Sequence, residues 1–104
     1  MVKHIILWRL KDTLTAEQKS KIAADAKTHL EALKGKIEGL SDIRVITEKL
    51  PSSTADMMLL SSFTSAEALK GYSVNENHRA VADTYVRPFV ETRVCMDFEE
   101  YYRV

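Results

Sequence analysis

One apolar stretch near the N-terminus decides the fold of this chain: Val2-Lys3-His4-Ile5-Ile6-Leu7-Trp8-Arg9-Leu10. Successive side chains of a β-strand point to opposite faces, and the stretch suits that alternation. One face of the predicted strand carries His4, Ile6, Trp8 and Leu10, and the other carries Lys3, Ile5, Leu7 and Arg9. Because apolar side chains lie on both faces, we expect each face of the sheet to be covered rather than solvated.

Outward from this strand, the sequence predicts a regular order of helices and strands. The capping box Thr15-Ala16-Glu17-Gln18 opens a long helix that runs to about Gly39, with apolar residues three and four positions apart. Further strands are predicted at residues 42–50, 56–63 and 92–99. Between the last two, a short helix at residues 64–71 precedes another that begins between Ser73 and Asn75 and ends before Pro88. This β-α-β-β-α-β order, with its second helix split, is the ferredoxin-like α+β plan, in which helices cover one face of a four-stranded antiparallel sheet.

In that fold the helices leave one apolar face of the sheet uncovered, which indicates that another protein chain packs against it. The simplest way to bury this second apolar face is to pack it against the same face of another copy of the chain. A domain of 104 residues also buries only about two-thirds of its unfolded-chain surface, so a partner would add stability. We therefore expect residues 1–104 to form one domain that assembles as a homodimer, a dimeric α+β barrel.

Composition and motifs exclude several classes of function. The 15 basic and 15 acidic residues give no net charge, which argues against nucleic-acid binding. No apolar run approaches the roughly 20 residues that cross a bilayer, and the N-terminus lacks a signal-peptide layout, so no membrane association is expected. Cys95 is the only cysteine, which fits a reducing compartment such as the cytoplasm. Without HExxH, CxxC, GxSxG or a glycine-rich phosphate loop, we expect no metal and no cofactor.

Two residues around the split helix are candidates for catalysis. His78 falls in or just beyond the first turn of its helix, where the dipole disfavours imidazolium, so a neutral imidazole could act as a base. Tyr72 lies six residues earlier, across a turn that could bring its hydroxyl toward the ring. A histidine base with a tyrosine donor suits proton abstraction next to a carbonyl group. The alternative is structural: His78 closes a helix start and Tyr72 packs at a helix end.

Other side chains are candidates for the wall of a small-molecule cavity between helices and sheet. A histidine on an apolar strand face, as His4 is, either completes a core or lines a pocket. The predicted ligand-binding residues are His4, Ile6, Trp8, Leu59 and Val81. Cys95, in the middle of a strand, is expected to be buried and inert, and Asp97 to belong to a solvated strand end.

Three segments carry a resemblance to a known family. They are residues 2–11, the segment Phe63-Thr64-Ser65-Ala66-Glu67-Ala68-Leu69 followed by Tyr72 and His78, and Arg93-Val94-Cys95-Met96-Asp97-Phe98. In order and spacing they resemble the stress-responsive dimeric α/β-barrel (Dabb) domain family. The resemblance implies ferredoxin-like subunits whose sheets pair into a barrel. In plant members that are polyketide cyclases, a histidine and a tyrosine drive an intramolecular aldol closure without metal or cofactor; His78 and Tyr72 match that pair, and His4 matches a histidine of the same pocket.

The chain departs from the family pattern in two places. Where the family often reads His-Pro-x-His, this chain has Asn75-Glu76-Asn77-His78, so only the last histidine is present. The long helix offers Ile22, Ala23 and Ala26 where the plant cyclases have aromatic residues. A different ligand, or none, is implied.

These observations lead to one functional expectation and two alternatives. We expect a Dabb stress-response protein that binds a small apolar organic molecule and, if it is an enzyme, acts as a cofactor-independent lyase or cyclase through proton transfer. The first alternative is a non-catalytic dimeric binding or accessory module whose histidines are structural. The second is a cofactor-free monooxygenase-like enzyme, which rests on analogy of fold alone.

Overall fold

The predicted order of elements is present in a computed structural model of the chain, which describes residues 1–101. Its strands are β1 (Val2–Leu10), β2 (Leu40–Ile46), β3 (Met57–Phe63) and β4 (Val90–Glu99). Its helices are α1 (Ala16–Glu31), α2 (Ala66–Val74) and α3 (Glu76–Tyr85), and a short 3₁₀ turn at Arg87–Phe89 precedes β4. Among the described residues, no helix is both long and apolar enough to cross a membrane.

The four strands form one antiparallel sheet in the order β2-β3-β1-β4, which confirms the predicted ferredoxin-like fold. β1 is an inner strand, and its residues from Val2 to Trp8 have partners on both sides. His4 pairs with Ser61 and Asp97, Ile6 with Leu59 and Cys95, and Trp8 with Met57 and Arg93. This register determines which side chains meet around the histidine.

The first helix is shorter than predicted. Its N-terminal capping box is confirmed, because the Thr15 hydroxyl accepts from the backbone N–H of Gln18 and the Gln18 side chain accepts from that of Thr15. The prediction that it runs to about Gly39 was wrong: the helix ends at Glu31, and the backbone N–H groups of Leu33 and Lys34 donate to carbonyls three residues back, a tighter turn than an α-helix. Gly35, four residues past the end of the helix, then adopts a φ of +83°. The apolar periodicity continues beyond the helix because Leu33 and Ile37 are still buried.

Other helix and strand boundaries also differ from the sequence-based ones. β2 starts and stops earlier than predicted, since its pairing ends where Ile46 lies opposite Met58 near the start of β3. α2 continues past Gly71 to Val74, and β4 begins at Val90. Asn75 is the cap of α3, and its side-chain oxygen accepts from the backbone N–H groups of Asn77 and His78.

The two faces of the sheet have different surroundings. The helix-facing side holds most of the core, including Ile6, Leu10, Val45, Leu59 and Phe63, each at most 2% exposed. We call the other side of the sheet the open face. Because successive side chains of a strand point to opposite sides, the apolar residues of the open face are Ile5, Leu7, Ile46, Met58, Leu60, Val94, Met96 and Phe98. Val94 and Met96 are 60% and 62% exposed, so the single chain leaves apolar surface in water there.

Candidate functional site

A cavity of about 370 Å³ lies between the helix-facing side of the sheet and the helices. Its wall is formed by Leu30 of α1, Tyr72 and Ser73 at the end of α2, His78 and Ala82 of α3, and His4, Ile6, Trp8, Leu59, Val86, Arg87, Val90 and Arg93. Arg87 and Arg93 are exposed residues, so this side of the cavity meets solvent. The remaining wall is mostly apolar, which suits a small organic molecule.

Most of the residues predicted for the site line this one cavity. His4, Ile6, Trp8, Leu59, Tyr72 and His78 do so, whereas Val81 does not. Val81 packs against the hydrophobic core instead, and the next residue, Ala82, takes its place in the wall because it lies one helical turn after His78. From α1, Leu30 lines the cavity rather than Ile22, Ala23 or Ala26.

Tyr72 and His78 lie against each other inside the cavity wall. Their ring centroids are 4.0 Å apart with an angle of 31° between the planes, and Tyr72 is 1% exposed. Asn75 explains the approach: its backbone N–H donates to the Tyr72 carbonyl at the end of α2, while its side chain accepts from the backbone N–H of His78 at the start of α3. The split between the two helices therefore brings the pair together.

Each member of this pair has a buried polar atom without a hydrogen-bond partner among the described residues. These atoms are the Tyr72 hydroxyl oxygen and His78 Nδ1. Buried polar groups in folded proteins are nearly always hydrogen-bonded, so two such groups on residues that line one cavity call for an explanation. A ligand in the cavity would provide one.

Burial holds both groups in their neutral forms. It lowers the pKa of His78 to about 4, the neighbouring Arg87 and His4 lower it further, and the backbone of Ser73 and Tyr72 acts in the opposite direction. Burial also raises the pKa of the Tyr72 hydroxyl, while the nearby Arg93 acts in the opposite direction. At neutral pH, His78 is therefore an uncharged imidazole and Tyr72 a protonated phenol. Desolvation, rather than the helix dipole, is the main reason for the neutral histidine.

His4 is held between the aromatic core and the edge strand. It is 7% exposed, its ring meets those of Phe63 and Tyr72 edge-on, and its Nδ1 is hydrogen-bonded to Asp97 Oδ1. An ionised carboxylate only accepts, so Nδ1 donates in this pair and Nε2 is left as an acceptor. Asp97 is exposed near the end of β4, as expected, but the β1–β4 register also places it opposite His4, a pairing that the sequence did not predict.

Cys95 is exposed, in contrast to the expected buried thiol. β4 is an edge strand whose residues from Glu91 to Glu99 are all exposed, including those on the helix-facing side. The Cys95 sulfur lies 3.9 Å from His4 Nδ1 and 3.5 Å from Asp97 Oδ1. Partial burial and the Asp97 carboxylate raise the pKa of the thiol, so it is not an activated nucleophile. The sequence did not reveal this cluster because His4 is more than 90 positions away from Cys95 and Asp97 along the chain.

Comparison with known proteins gives one family match. The model of the family described as "Stress responsive A/B Barrel Domain" (Dabb) matches residues 2–100. No curated protein matches the chain.

Solved structures of several organisms share the fold. A dimeric protein of unknown function with a ferredoxin-like fold from Bacteroides fragilis is 31% identical, with a TM-score of 0.89 over 95% of each chain. A dimeric ferredoxin-like protein of unknown function from Thermobifida fusca is 23% identical, with a TM-score of 0.74 over 93% of this chain and 88% of that one. The hydroxynitrile lyase of Passiflora edulis is 19% identical, with a TM-score of 0.69 over 98% of this chain and 96% of the lyase. Because the proteins from Thermobifida fusca and Passiflora edulis are less than 25% identical to this chain, their similarity shows a shared fold and nothing more.

Proposed function

The chain belongs to the stress-responsive A/B barrel (Dabb) family, and from that premise we propose that it is a homodimer that binds a small organic carbonyl compound and moves a proton next to the carbonyl group. The ligand occupies the cavity lined by His4, Tyr72 and His78. The reaction class is a cofactor-independent lyase or cyclase step. The role in stress response that the family description names is part of the same proposal.

The observation that carries this proposal is a pair of buried atoms, Tyr72 Oη and His78 Nδ1, that have no hydrogen-bond partner within residues 1–101. Leaving a buried polar group without a hydrogen bond costs about 1–3 kcal/mol, so a ligand that supplies partners for both atoms is favoured by a comparable amount. The Tyr72 hydroxyl can donate to an oxygen, and neutral His78 can accept a proton or a hydrogen bond. A carbonyl compound with an acidic adjacent C–H offers both partners within one small molecule.

The chemistry follows from the protonation states of the two side chains. His78 accepts the proton from the carbon next to the carbonyl, and the bond electrons move into the enolate, whose oxygen receives the hydrogen bond from Tyr72. Arg93 lines the same cavity and favours negative charge near Tyr72. Because a base with a pKa of about 4 is weak, the best substrates carry a C–H that is acidified by two carbonyl groups.

The homodimer is supported by the open face. Exposed apolar patches of this kind on a small protein mark interaction sites, and two copies of one sheet face are self-complementary under two-fold symmetry. The relatives from Bacteroides fragilis and Thermobifida fusca are described as dimeric. We propose that the open faces of two chains pack together as the inner layer of a barrel.

The proposed location is a reducing compartment, the cytoplasm. Cys95 is the only cysteine, and its thiol is free and exposed. An exposed thiol persists where glutathione and thioredoxin keep cysteines reduced.

The specific rival is a binding module without catalysis. The low pKa of His78 also suits a histidine that only accepts a hydrogen bond from its ligand. The monooxygenase-like alternative stays a prediction from the fold.

A fluorescence titration tests ligand binding, because Trp8 is the only tryptophan and lines the cavity. Titration with aryl ketones and 1,3-diketones, benzoylacetone among them, should quench Trp8 saturably. Ala82→Leu fills the cavity and should abolish the quenching, while the matched control Ala80→Leu, at an exposed position of the same helix, should retain it. Quenching by no member of the series, or equal quenching in both variants, would refute the binding site.

Deuterium exchange separates catalysis from binding. In mildly acidic deuterium oxide, where spontaneous exchange slows, the protein should accelerate deuterium incorporation at the central carbon of benzoylacetone. His78→Gln should return the rate to background, and Tyr72→Phe should lower it by about 10–100-fold. If benzoylacetone binds but its deuterium exchange is not accelerated, the catalytic proposal is refuted and the protein is a binding module without catalysis.

A further inference from the structure

His4, Cys95 and Asp97 form a compact set of potential metal ligands on two neighbouring strands. The three ligand atoms, His4 Nδ1, the Cys95 sulfur and an Asp97 carboxylate oxygen, all lie within 4.8 Å of one another. The β1–β4 register creates the set, because it places Asp97 beside His4 and Cys95 beside Ile6 on the same side of the sheet. We propose that this cluster is a binding site for a zinc-like divalent cation, distinct from the proton transfer assigned to His78 and Tyr72.

The ligand spacing suits a tetrahedral metal ion. Zinc bonds to nitrogen, oxygen and sulfur of about 2.0–2.3 Å separate tetrahedral ligand atoms by roughly 3.3–3.6 Å. The sulfur of Cys95 is 3.5 Å from Asp97 Oδ1 and 3.9 Å from His4 Nδ1, so these two separations require only small side-chain shifts. The His4–Asp97 contact is shorter and has to open to admit the ion. The cation would replace the direct hydrogen bond between His4 and Asp97.

The chemistry of the three ligands selects a borderline-soft cation. A thiolate with an imidazole favours zinc and similar transition metals over magnesium or calcium, which prefer sets made of oxygen only. On binding, the Cys95 thiol releases its proton to solvent, and His4 carries its ring proton on Nε2 instead of Nδ1. The thiolate and the carboxylate then balance the two positive charges of the ion.

The position on the edge strand leaves room for a fourth ligand. Cys95 is exposed and the Asp97 side chain is 45% exposed, whereas the His4 side chain is 9% exposed and anchored in the core. Three protein ligands and one position open to solvent are the arrangement found where zinc activates a water molecule or holds an exchangeable ligand. The exposed side also provides a path by which the ion enters.

Cobalt(II) is the probe for this site, because its thiolate complexes absorb visibly and it occupies zinc sites. Titration of the chelator-treated, reduced full-length protein should give a thiolate-to-cobalt charge-transfer band that saturates at one ion per chain, and zinc should displace it. Cys95→Ser should remove the band, and Asp97→Asn should weaken binding by at least about tenfold. His29→Gln, at a histidine on α1 outside the cluster, is the matched control and should change neither.

The outcome is decisive in both directions. Saturation at one ion per chain with loss of the band in Cys95→Ser establishes the site. No saturable band, or a band that survives Cys95→Ser, overturns it. Circular dichroism of each variant verifies that it is folded, and the exchange assay with benzoylacetone is run separately, so failure of the metal site leaves the proposal for His78 and Tyr72 standing.

Discussion

The two faces of the sheet are built from the same strands yet have opposite surroundings. On the helix-facing side, Ile6 and Phe63 are at most 1% exposed, and His4 lines the cavity. On the open face, Leu7 is 38% and Met96 62% exposed, although both are as apolar as the core. The comparison teaches that the strand alternation provides two interior-like surfaces, of which the single chain covers only one.

A large effect is expected from the helix-facing side. Phe63 is fully buried and meets the rings of His4 and Tyr72, so Phe63→Ala should lower the free energy of unfolding by about 3–5 kcal/mol. Chemical denaturation measures this. Phe98→Ala on the open face is the matched comparison and should cost the folded chain less when both variants are measured at concentrations where the chain is monomeric. Equal losses at the two positions would contradict the difference between the faces.

Substitutions on the open face should weaken dimerisation more than they destabilise the folded chain. Val94→Glu combined with Met96→Glu places like charges where two sheets would meet, and should raise the dimer dissociation constant by at least about 100-fold, or about 3 kcal/mol. Light scattering in dilute solution measures the mass. Val74→Glu, at a 70% exposed valine at the end of α2, is the control and should remain dimeric. A wild-type protein of monomeric mass would refute the packing of the open faces.

The cavity should give a characteristic pH dependence. The pKa of His78 is about 4 in the folded protein, below the usual value of 6.5, so between these values the unfolded chain binds the extra proton. Stability should therefore rise with pH across this window, be complete above about pH 6.5 and be lost toward pH 4, by roughly 1–2 kcal/mol after allowance for partial solvent screening. Denaturation of wild type and His78→Gln at several pH values should show a steeper slope in the wild type, because the lowered pKa values of Glu31, Asp42 and Asp56 contribute a slope to both proteins at the acidic end. Identical slopes would mean that His78 is not buried in its neutral form.

The sequence was sufficient for the strand order but not for the precise ends or for long-range neighbours. Alternation in β1 and the polar cap at Asn75 are local signals, and both led to the observed structure. The end of α1 was missed because Leu33 and Ile37 keep the helical spacing while the chain already turns at Gly35.

The candidate site was predictable to the extent that local geometry determines it. Tyr72 and His78 meet because a short turn joins their helices, which the spacing indicated. The exposure of Cys95 and the pairing of Asp97 with His4 were missed because both depend on the register between β1 and an edge strand, which a single sequence does not define. Val81 was predicted to line the cavity, but the next residue, Ala82, does so. The rotation of α3 about its own axis decides which residue faces the cavity, and this rotation depends on tertiary packing.

The most direct measurement is the effect of Tyr72→Phe on stability and on ligand affinity in the same preparation. If the buried hydroxyl is reserved for a ligand, its removal leaves the free energy of unfolding unchanged or raises it by up to about 1 kcal/mol, while the affinity for benzoylacetone, read from Trp8 quenching, falls at least about fivefold. A loss of stability without ligand, combined with unchanged affinity, would show that the hydroxyl serves the fold and would contradict the proposed binding site.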